Sequence, residues 1–300
     1  MTPGGGRDAS GAGGGPLIDV HAHFHHARTG RADWAEVNEA RFRAGERIGI
    51  TYHVASILGS WGFSSPTYFP SPADVTLGND AMLALGEREP DRVRMFVTVN
   101  PNYTDHALNE IDRCAGRGAI GVKLLASRRS DDPLLDPIAA EAGKRGFPIL
   151  HHIWQHRQRE WPTQEISDGL DLARLAVRHP GTSFILAHIG GGGDYMHTFP
   201  AVVDCPNIYP DLSGSGADRG MLDSAVAALG ASRLLWGSDL TMCTGLAKLR
   251  ALDLLRLSAE ELAGIRWLNA ARIFPPGSFP RCARQTRETD PRGARTAGVQ

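Results

Sequence analysis

The sequence predicts an α/β fold of the (β/α)8 TIM-barrel class. Three observations support this prediction: apolar runs of strand length alternate with helical segments, most of these runs are apolar at nearly every position, and polar side chains stand where several runs end. The clearest such end is His21-Ala22-His23, which closes the apolar run from Pro16. Because strand side chains alternate with period two, we expect both imidazoles to face the same side, where they can bind one divalent cation.

Eight apolar runs of strand length recur along the chain. Strands that alternate with helices pair in parallel and are covered on both faces. A doubly wound open sheet shares this alternation, but polar residues at the strand ends favour the barrel, in which all of these ends meet at one mouth. The predicted strands are residues 17–21, 51–58, 93–99, 119–125, 148–152, 183–188, 208–212 and 234–237.

Helix boundaries are marked between these runs. Pro133 stands at the expected start of one helix, which should end near Gly146. Apolar residues at positions 166, 170, 173 and 177 follow helical spacing, and Pro180 ends that helix. Ser258 and Glu261 form an S-x-x-E capping box before a further apolar periodicity.

The two ends of the chain differ from its core in composition. Residues 1–15 are Gly-rich, and residues 280–300 carry five arginines with few apolar side chains, so both ends are predicted to be disordered. The remaining residues, 16–279, are predicted to form a single barrel domain, close to the length of about 250 residues that is typical of this fold.

Charge and cysteine content limit the partners and the compartment. The chain has 32 Lys and Arg against 33 Asp and Glu, which argues against bulk binding to nucleic acid or to an anionic membrane. The four cysteines form no CxxC pair, and no segment resembles a signal peptide or a membrane span. We therefore expect a cytoplasmic protein that acts on a small molecule, and a homodimer is possible.

Polar residues at the ends of four predicted strands carry the functional prediction. His21 and His23 end the first strand, His152 the fifth and His188 the sixth, and Asp239 follows the eighth. A lone histidine in an apolar run is usually a core residue with a satisfied hydrogen bond. Burying several ionisable groups together without a function would be costly, however, so the joint pattern predicts a metal site at the barrel mouth.

Several of these segments resemble a known family in the order in which they occur. The sequence Ile18-Asp19-Val20-His21-Ala22-His23 resembles the first-strand motif of the amidohydrolase superfamily. Its amidohydrolase-related branch includes aminocarboxymuconate-semialdehyde decarboxylase, resorcylate-type decarboxylases and pyrone-dicarboxylate lactonase. The resemblance extends over residues 121–124, 148–152, 186–191, 236–239 and 269–274.

The resemblance implies a role for each of the strand-end residues. His21, His23, a fifth-strand histidine and Asp239 would hold one divalent ion, zinc or alternatively manganese, which suits a set of imidazole and carboxylate ligands. Asp239 and His188 would be the catalytic residues. Asp239 would act as a general base towards water, and His188 would orient that water and stabilise developing charge.

The fifth strand offers two candidate ligands, since His151 and His152 are adjacent and must face opposite ways. Counting from Pro148, as the family pattern does, places His152 on the ligand position. His151 would then pack behind the strand or hydrogen-bond to a neighbouring ligand. If His151 were the ligand instead, the predicted strand register would be wrong by one residue.

Four further residues are candidates for substrate binding: Lys123, Arg128, Trp154 and His151. Some superfamily members carry a carboxylated lysine at the position of Lys123, but the pattern here favours an unmodified lysine that faces either a substrate carboxylate or a group that hydrogen-bonds to a metal ligand. The guanidinium group of Arg128 suits a carboxylate, and Trp154 suits a planar substrate. By period two, Asp19 is expected to share a face with His21.

The predicted activity is that of a metal-dependent hydrolase, which directs activated water at a small, carboxylated or cyclic substrate. The alternative is a non-oxidative decarboxylase of small unsaturated or aromatic acids with the same ligands. A metal-free lactonase and a non-catalytic barrel scaffold are further alternatives. The scaffold is disfavoured because it needs no set of inward ionisable groups.

Overall fold

Seven parallel β-strands form one sheet in the order in which they occur along the chain. The structure is a computed structural model that describes residues 15–57, 65–153, 163–189, 195–214, 219–239 and 242–289. Helices separate successive strands, so the fold is a TIM-barrel-like α/β fold, in agreement with the predicted class. The strands are β1 (Ile18–Phe24), β2 (Tyr52–Ile57), β3 (Val93–Val99), β4 (Ala119–Leu124), β5 (Ile149–His151), β6 (Phe184–Leu186) and β7 (Ile208–Pro210).

The predicted eighth strand does not form a regular strand. Leu235 makes a single parallel bridge to Asp211, and Asp239 makes one to Ala22 in β1. The backbone N–H of Asp239 also donates a hydrogen bond of 2.7 Å to the carbonyl of His21. The segment 235–239 thus connects the end of β7 to β1 without a continuous ladder, and the backbone N–H of Trp236 donates to the carbonyl of Ile265 at 3.1 Å instead of to a neighbouring strand.

Eleven α-helices lie within the described residues, and several begin or end where the sequence predicts. One helix ends at Gly146 with a left-handed φ of 66°, and Ser258 and Glu261 form the predicted capping box. The helices are α1 (Trp34–Ile48), α2 (Pro72–Arg88), α3 (Thr104–Ala115), α4 (Asp136–Arg145), α5 (Gly169–Arg178), α6 (Tyr195–Val202), α7 (Arg219–Leu229), α8 (Met242–Leu252), α9 (Ala259–Ala263), α10 (Asn269–Ile273) and α11 (Pro280–Thr289), with a π-helical turn at Gly264–Leu268.

The two faces of the sheet bury two hydrophobic layers. The outer layer packs between strands and helices and includes Ala22 and Leu124, whereas the inner layer includes Val20 and Phe96. Gly121 in β4 leaves room for the ring of Phe96, since a Cβ atom at this position would lie 2.5 Å from that ring. The inner layer fills the base of the sheet, so that polar side chains occupy the space above it.

The beginning of the predicted disordered tail forms a helix instead. Cys282 of α11 is fully buried with Phe274 and Phe279, and the backbone N–H of Arg281 donates to the Tyr52 hydroxyl at 3.3 Å. The arginines that suggested disorder therefore include residues of an amphipathic helix that covers the base of the sheet. Residues 1–14 and 290–300 lie outside the described part of the chain.

In the part of the chain that the structure describes, none of the helices combines the length and the hydropathy that crossing a bilayer requires.

Candidate metal centre and active site

A bulge in β1 directs the two histidines of the first motif. The register between β1 and β2 shifts between Asp19 and Ala22. Val20 belongs to the inner layer and Ala22 to the outer layer, so His21 and His23 both face inward with their Nε2 atoms 3.1 Å apart. The expectation that Asp19 shares a face with His21 is wrong, because the bulge interrupts the two-residue alternation of side chains along β1. The Asp19 carboxylate faces the helices and accepts a hydrogen bond from Arg41 of α1.

The His21 ring is oriented by a carboxylate that the sequence analysis did not select. The Nδ1 atom of His21 lies 2.7 Å from the Oδ2 atom of Asp211, and both side chains are fully buried. The other oxygen of Asp211 accepts hydrogen bonds from the backbone N–H groups of His188 and Ser213. A proton held between His21 Nδ1 and Asp211 leaves the His21 Nε2 atom as a lone-pair donor, as in carboxylate–histidine–metal arrangements.

Asp239 and His188 join the two inward histidines. The Oδ1 atom of Asp239 lies 3.3 Å from His23 Nε2 and 3.8 Å from His21 Nε2, while its Oδ2 atom lies 3.5 Å from His188 Nδ1. One ligand atom each of His21, His188 and Asp239 falls within 4.8 Å of the others. The structure therefore brings together all of the strand-end residues selected from strands one, six and eight.

The backbone at this site is strained. Among the described residues, only Tyr68, His188 and Asp239 have a positive φ without being glycine, with values of 67°, 64° and 55°. The Tyr68 ring lies 5.0 Å, centroid to centroid, from the ring of His152, so all three residues belong to one region. Left-handed backbone costs a non-glycine residue about 1–3 kcal/mol, and such strain clusters where function requires a particular side-chain direction.

The two adjacent histidines of β5 face opposite ways. The Nδ1 atom of His152 lies 3.0 Å from His188 Nε2, which places His152 with the inward residues. His151 pairs in register with Leu124 of the outer layer and points its Nδ1 atom at the carbonyl of His152. The position of His152 thus agrees with the predicted register. His151 lies on the far side of the strand, away from a bound substrate.

Two buried lysines approach the cluster. Lys123 ends β4 with its Nζ atom 3.0 Å from His21 Nε2, and Lys248 in α8 donates to the carbonyl of Gly214 at 2.9 Å. The Lys123 residue is 1% exposed and the Lys248 residue is 0% exposed. Burial lowers the pKa of each lysine to about 8, against the opposing attraction of Asp211 and Asp239. Both ammonium groups therefore remain mainly charged at neutral pH.

Burial also sets the protonation of the histidines and acids. It lowers the pKa of His23 to about 4 and that of His188 to about 3, and it holds the pKa of His152 well below its ordinary value. These imidazoles are neutral at pH 7, which is the form that binds a metal ion. Burial raises the pKa of Asp211 and Asp239, but the neighbouring imidazoles outweigh it and keep both pKa values well below the ordinary range.

The donor set fits one divalent cation. Two imidazole nitrogens that bind the same zinc ion lie about 3–3.4 Å apart, and the Nε2 atoms of His21 and His23 are 3.1 Å apart. Neutral imidazoles and an ionised carboxylate are also the ligands that zinc and manganese accept. The residues whose ligand atoms lie within 4.8 Å of one another are His21, His188 and Asp239. The sequence analysis assigned His188 to catalysis, but this position makes it a fifth potential donor in addition to His21, His23, His152 and Asp239.

The remaining substrate-binding candidates are Arg128, which lies in the loop after β4, and Trp154. The Nε atom of Arg128 donates to Asn102 at 2.6 Å and its Nη1 atom lies 3.6 Å from Asp132, with 40% of the side chain exposed. These contacts hold Arg128 in the loop after β4. Trp154 lies outside the residues that the structure describes.

The sequence profile of a known family covers the whole sheet and the candidate site. The Amidohydrolase profile matches residues 18–275, which include every strand and each residue of the cluster. The chain belongs to the amidohydrolase family. No curated protein sequence matches this amidohydrolase at a significant level.

Solved structures share the fold of this amidohydrolase at low sequence identity. A 2,6-dihydroxybenzoate decarboxylase from Rhizobium superposes with a TM-score of 0.66 at 18% identity, covering 86% of this chain and 98% of its own. A manganese-bound dihydroxybenzoic acid decarboxylase from a Polaromonas species gives 0.66 at 17% identity, covering 86% and 96%. The 5-carboxyvanillate decarboxylase from Sphingomonas paucimobilis gives 0.64 at 17% identity, covering 86% and 98%.

The sequence analysis missed three residues of this amidohydrolase site for different reasons. Asp211 follows β7 as His188 follows β6, so the strand-end criterion already applied to the other residues would have found it. Lys248 lies in a helix, where nothing distinguishes it from a surface lysine. Tyr68 lies in a loop before α2, and its left-handed backbone has no sequence pattern that predicts it.

Proposed function

We propose that this amidohydrolase is a divalent-metal-dependent decarboxylase of a small hydroxylated aromatic or unsaturated acid. The observation that carries the proposal is the charge of the buried cluster. Its two acids, Asp211 and Asp239, are balanced by two buried lysines, Lys123 and Lys248. A bound divalent cation adds two positive charges, and a buried excess charge is costly unless it is paired. The carboxylate of an acid substrate supplies part of that pairing.

The residues that would hold the cation are His21, His23, His152 and Asp239, with His188 beside them. When bound, a divalent ion in such a set acts as a Lewis acid towards substrate oxygens and lowers the pKa of a water molecule. Zinc and manganese both suit these donors. The similarity to manganese-bound decarboxylases supports manganese as the first metal to test.

Each side chain of the cluster has a separate role in the proposed decarboxylation. Lys123 is positioned to pair with the substrate carboxylate or hydroxylate, since its Nζ atom lies within the cluster. Breaking the carbon–carboxylate bond leaves an electron pair on carbon, which then needs a proton. Asp239 is ionised at neutral pH, so it can accept a proton from the substrate hydroxyl and return it to that carbon. His188, 3.5 Å from Asp239, orients that carboxylate.

Hydrolysis is the second candidate, and the exposure of Asp239 favours it. The side chain of Asp239 is 22% exposed, whereas that of His21 is fully buried and that of His23 is 7% exposed. Asp239 is therefore the group of the cluster that water can reach, as a general base must be. In this case the same cation site would activate water for attack on a C–N or C–O bond.

The test compares two substrate panels on metal-loaded protein. One panel contains hydroxybenzoates and muconate-type acids and is followed by carbon dioxide release, and the other contains amides, esters and lactones. We expect carbon dioxide release that is lost in chelator and restored by manganese or zinc, and lost again in Asp239→Asn. Turnover of only the second panel would favour hydrolysis instead. Lactone hydrolysis that persists in chelator would identify a metal-free lactonase, and inactivity on both panels would favour a scaffold.

The proposal also includes the domain extent, location, partners and assembly that the sequence predicts. We infer a single barrel domain over residues 16–279, to which helix α11 adds a cover on the base of the sheet, a cytoplasmic location, no nucleic-acid or membrane partner, and a homodimeric assembly. Light scattering on the purified protein tests the homodimer, since the monomer mass is 32.3 kDa and a dimer should give twice that mass.

A further inference from the structure

A polar network lies behind the metal cluster, on the outer face of the sheet. It consists of Asp19 in β1, Arg41 in α1, His53 in β2 and Ser238 in the segment after β7, and the Asp19 and Arg41 side chains are 0% and 8% exposed. None of these residues belongs to the donor set proposed above. Such a network is costly to bury, so its retention calls for a structural or functional reason.

The Asp19 carboxylate joins the two parts of the chain that carry the donors. Its Oδ1 atom accepts hydrogen bonds from the backbone N–H groups of His21 at 3.2 Å and of Ser238 at 2.9 Å. One of these groups belongs to a proposed ligand, and the other immediately precedes Asp239. The carboxylate therefore fixes the spacing between β1 and the segment 235–239, where the sheet lacks a continuous ladder.

Arg41 completes this connection from the helical layer. Its Nη2 atom donates to the Ser238 hydroxyl at 2.6 Å and to Asp19 Oδ2 at 3.3 Å, while the same hydroxyl donates to Asp19 Oδ2 at 2.5 Å. The three groups form a closed triangle of charge-assisted hydrogen bonds. The guanidinium also lies 5.5 Å from the ring centre of Phe24, which packs it against β1. Helix α1 is thus connected by hydrogen bonds to the two segments that carry donors, β1 and residues 235–239.

We propose that Arg41, acting through Asp19 and Ser238, is a positioning residue that holds Asp239 at the correct distance from His21 and His23 for metal binding. The inference deepens the proposed function and rests on it. The left-handed backbone of Asp239 is held against its strain by the neighbouring hydrogen bonds, and the triangle ends one residue before it. Loss of the triangle lets Asp239 relax away from the imidazoles while the rest of the sheet remains folded.

The experiment measures metal affinity, not turnover. Full-length protein is stripped with a chelator and titrated with Mn²⁺ and with Zn²⁺ by calorimetry or against a chelating dye, and thermal melting is recorded in parallel. The variants are Arg41→Met, Arg41→Lys and Ser238→Ala. The matched control is Arg113→Met in α3, which removes a guanidinium that pairs with Glu110 and Asp80 away from the donor set.

The positioning role predicts that Arg41→Met binds Mn²⁺ about 10–100-fold more weakly than the parent chain, since groups that orient metal ligands typically contribute that much to affinity. Arg41→Lys should recover part of the loss, because an ammonium group can reach Asp19 or Ser238 but cannot bridge both as the guanidinium does. Ser238→Ala should weaken binding as well. Arg113→Met should lower only the melting temperature.

Two outcomes overturn the inference, and they can be told apart. If the parent chain binds the metal and folded Arg41→Met or Ser238→Ala binds it equally well, Arg41 has only a structural role and the proposed function stands. If the parent chain binds neither Mn²⁺ nor Zn²⁺, the proposed function fails and the inference fails with it. Should Arg41→Met not fold, Ser238→Ala and Arg41→Lys decide between these outcomes.

Discussion

The Nδ1 atom of His21 lies 2.7 Å from the Oδ2 atom of Asp211, across the sheet between its first and seventh strands. This buried pair fixes which nitrogen of His21 carries the proton and so leaves Nε2 directed at His23 and Lys123. The same carboxylate also caps the backbone N–H of His188. Asp211 therefore organises two donors at once without being one of them.

Replacing Asp211 by Asn should weaken metal binding about 10–100-fold, because an amide orients the His21 ring less strongly through Nδ1 than a carboxylate does. The measurement is titration of stripped protein with Mn²⁺. Asp131→Asn serves as the control, since Asp131, in the loop after β4, pairs with Arg129 in the same loop and with Arg174 in α5. Equal affinities for the parent chain and Asp211→Asn would contradict this role.

Metal removal should lower the melting temperature, and the readdition of zinc or manganese should restore it. A ligand that binds only the folded state stabilises it by about 2.7 kcal/mol at a free concentration of one hundred times its Kd. Calcium, which prefers sets of oxygen ligands, should restore less. A melting curve that is identical with and without chelator, for protein in which elemental analysis finds metal, would exclude a coupled site.

The left-handed backbone of Asp239 predicts an unusual order of substitutions. Asn tolerates this conformation, so Asp239→Asn should remove activity and lose only the stabilisation that the ionised carboxylate contributes to the folded state. Asp239→Val places a β-branched residue there and should lower the free energy of unfolding by a further ~1–3 kcal/mol. Denaturant unfolding of metal-free protein measures both. Equal stability of the two variants would show that the backbone relaxes in solution.

Two glycines should respond in opposite ways to replacement by alanine. At Gly121 a Cβ atom would lie 2.5 Å from the Phe96 ring and 2.9 Å from the carbonyl of Pro148, so Gly121→Ala should destabilise by about 1–3 kcal/mol through overpacking. At Gly86 in α2 nothing lies within 4 Å, so Gly86→Ala should stabilise by about 0.4–1 kcal/mol. Urea unfolding of the two variants, compared with the parent chain, tests both signs.

Glu110 in α3 predicts a loss of stability in acid. Burial raises its pKa, but hydrogen bonds from Arg113 and Asn79 outweigh this and lower the pKa below its ordinary value of 4.5. The carboxylate therefore stabilises the fold above the unfolded-state pKa, and this contribution disappears as the pH falls through the lower folded-state value. Glu110→Gln should be less stable than the parent chain at pH 7, and the difference should shrink below pH ~4. Glu87→Gln, at an exposed pair with Arg117, is the control.

Seven of the eight predicted strands form, because uniformly apolar runs between helices have few alternatives to a covered parallel sheet. The eighth run, residues 234–237, lies between β7 and β1 as predicted but makes only isolated bridges, since the backbone N–H of Trp236 bonds to Ile265 and not to a strand. Helix ends at Gly146 and Ser258 were equally predictable, because capping depends on local chemistry. The prediction of disorder was wrong for residues 280–289 of the tail, because one buried side chain, Cys282, attaches an otherwise polar helix to the sheet.

The site was predictable only where function coincides with strand ends. His21, His23, His188 and Asp239 meet as the strand order requires, and His152 lies on the inward side of its strand. The two-residue alternation of strand side chains predicts the wrong face for Asp19, because a bulge interrupts it and the sequence pattern does not show where a bulge occurs. Lys248 and Arg41 are helical residues whose contacts depend on how the helices pack, and no local pattern encodes that packing.

The meeting of β1 with the segment 235–239 also determines when the site can exist during synthesis. His21 leaves the ribosome early, but its partners Asp211 and Asp239 emerge only after most of the sheet has been made. A nascent chain therefore exposes His21 and His23 without these partners until nearly the whole sheet has been synthesised. A metal ion at the proposed site would accordingly be loaded only at the last stage of maturation, when the beginning and the end of the sheet have come together.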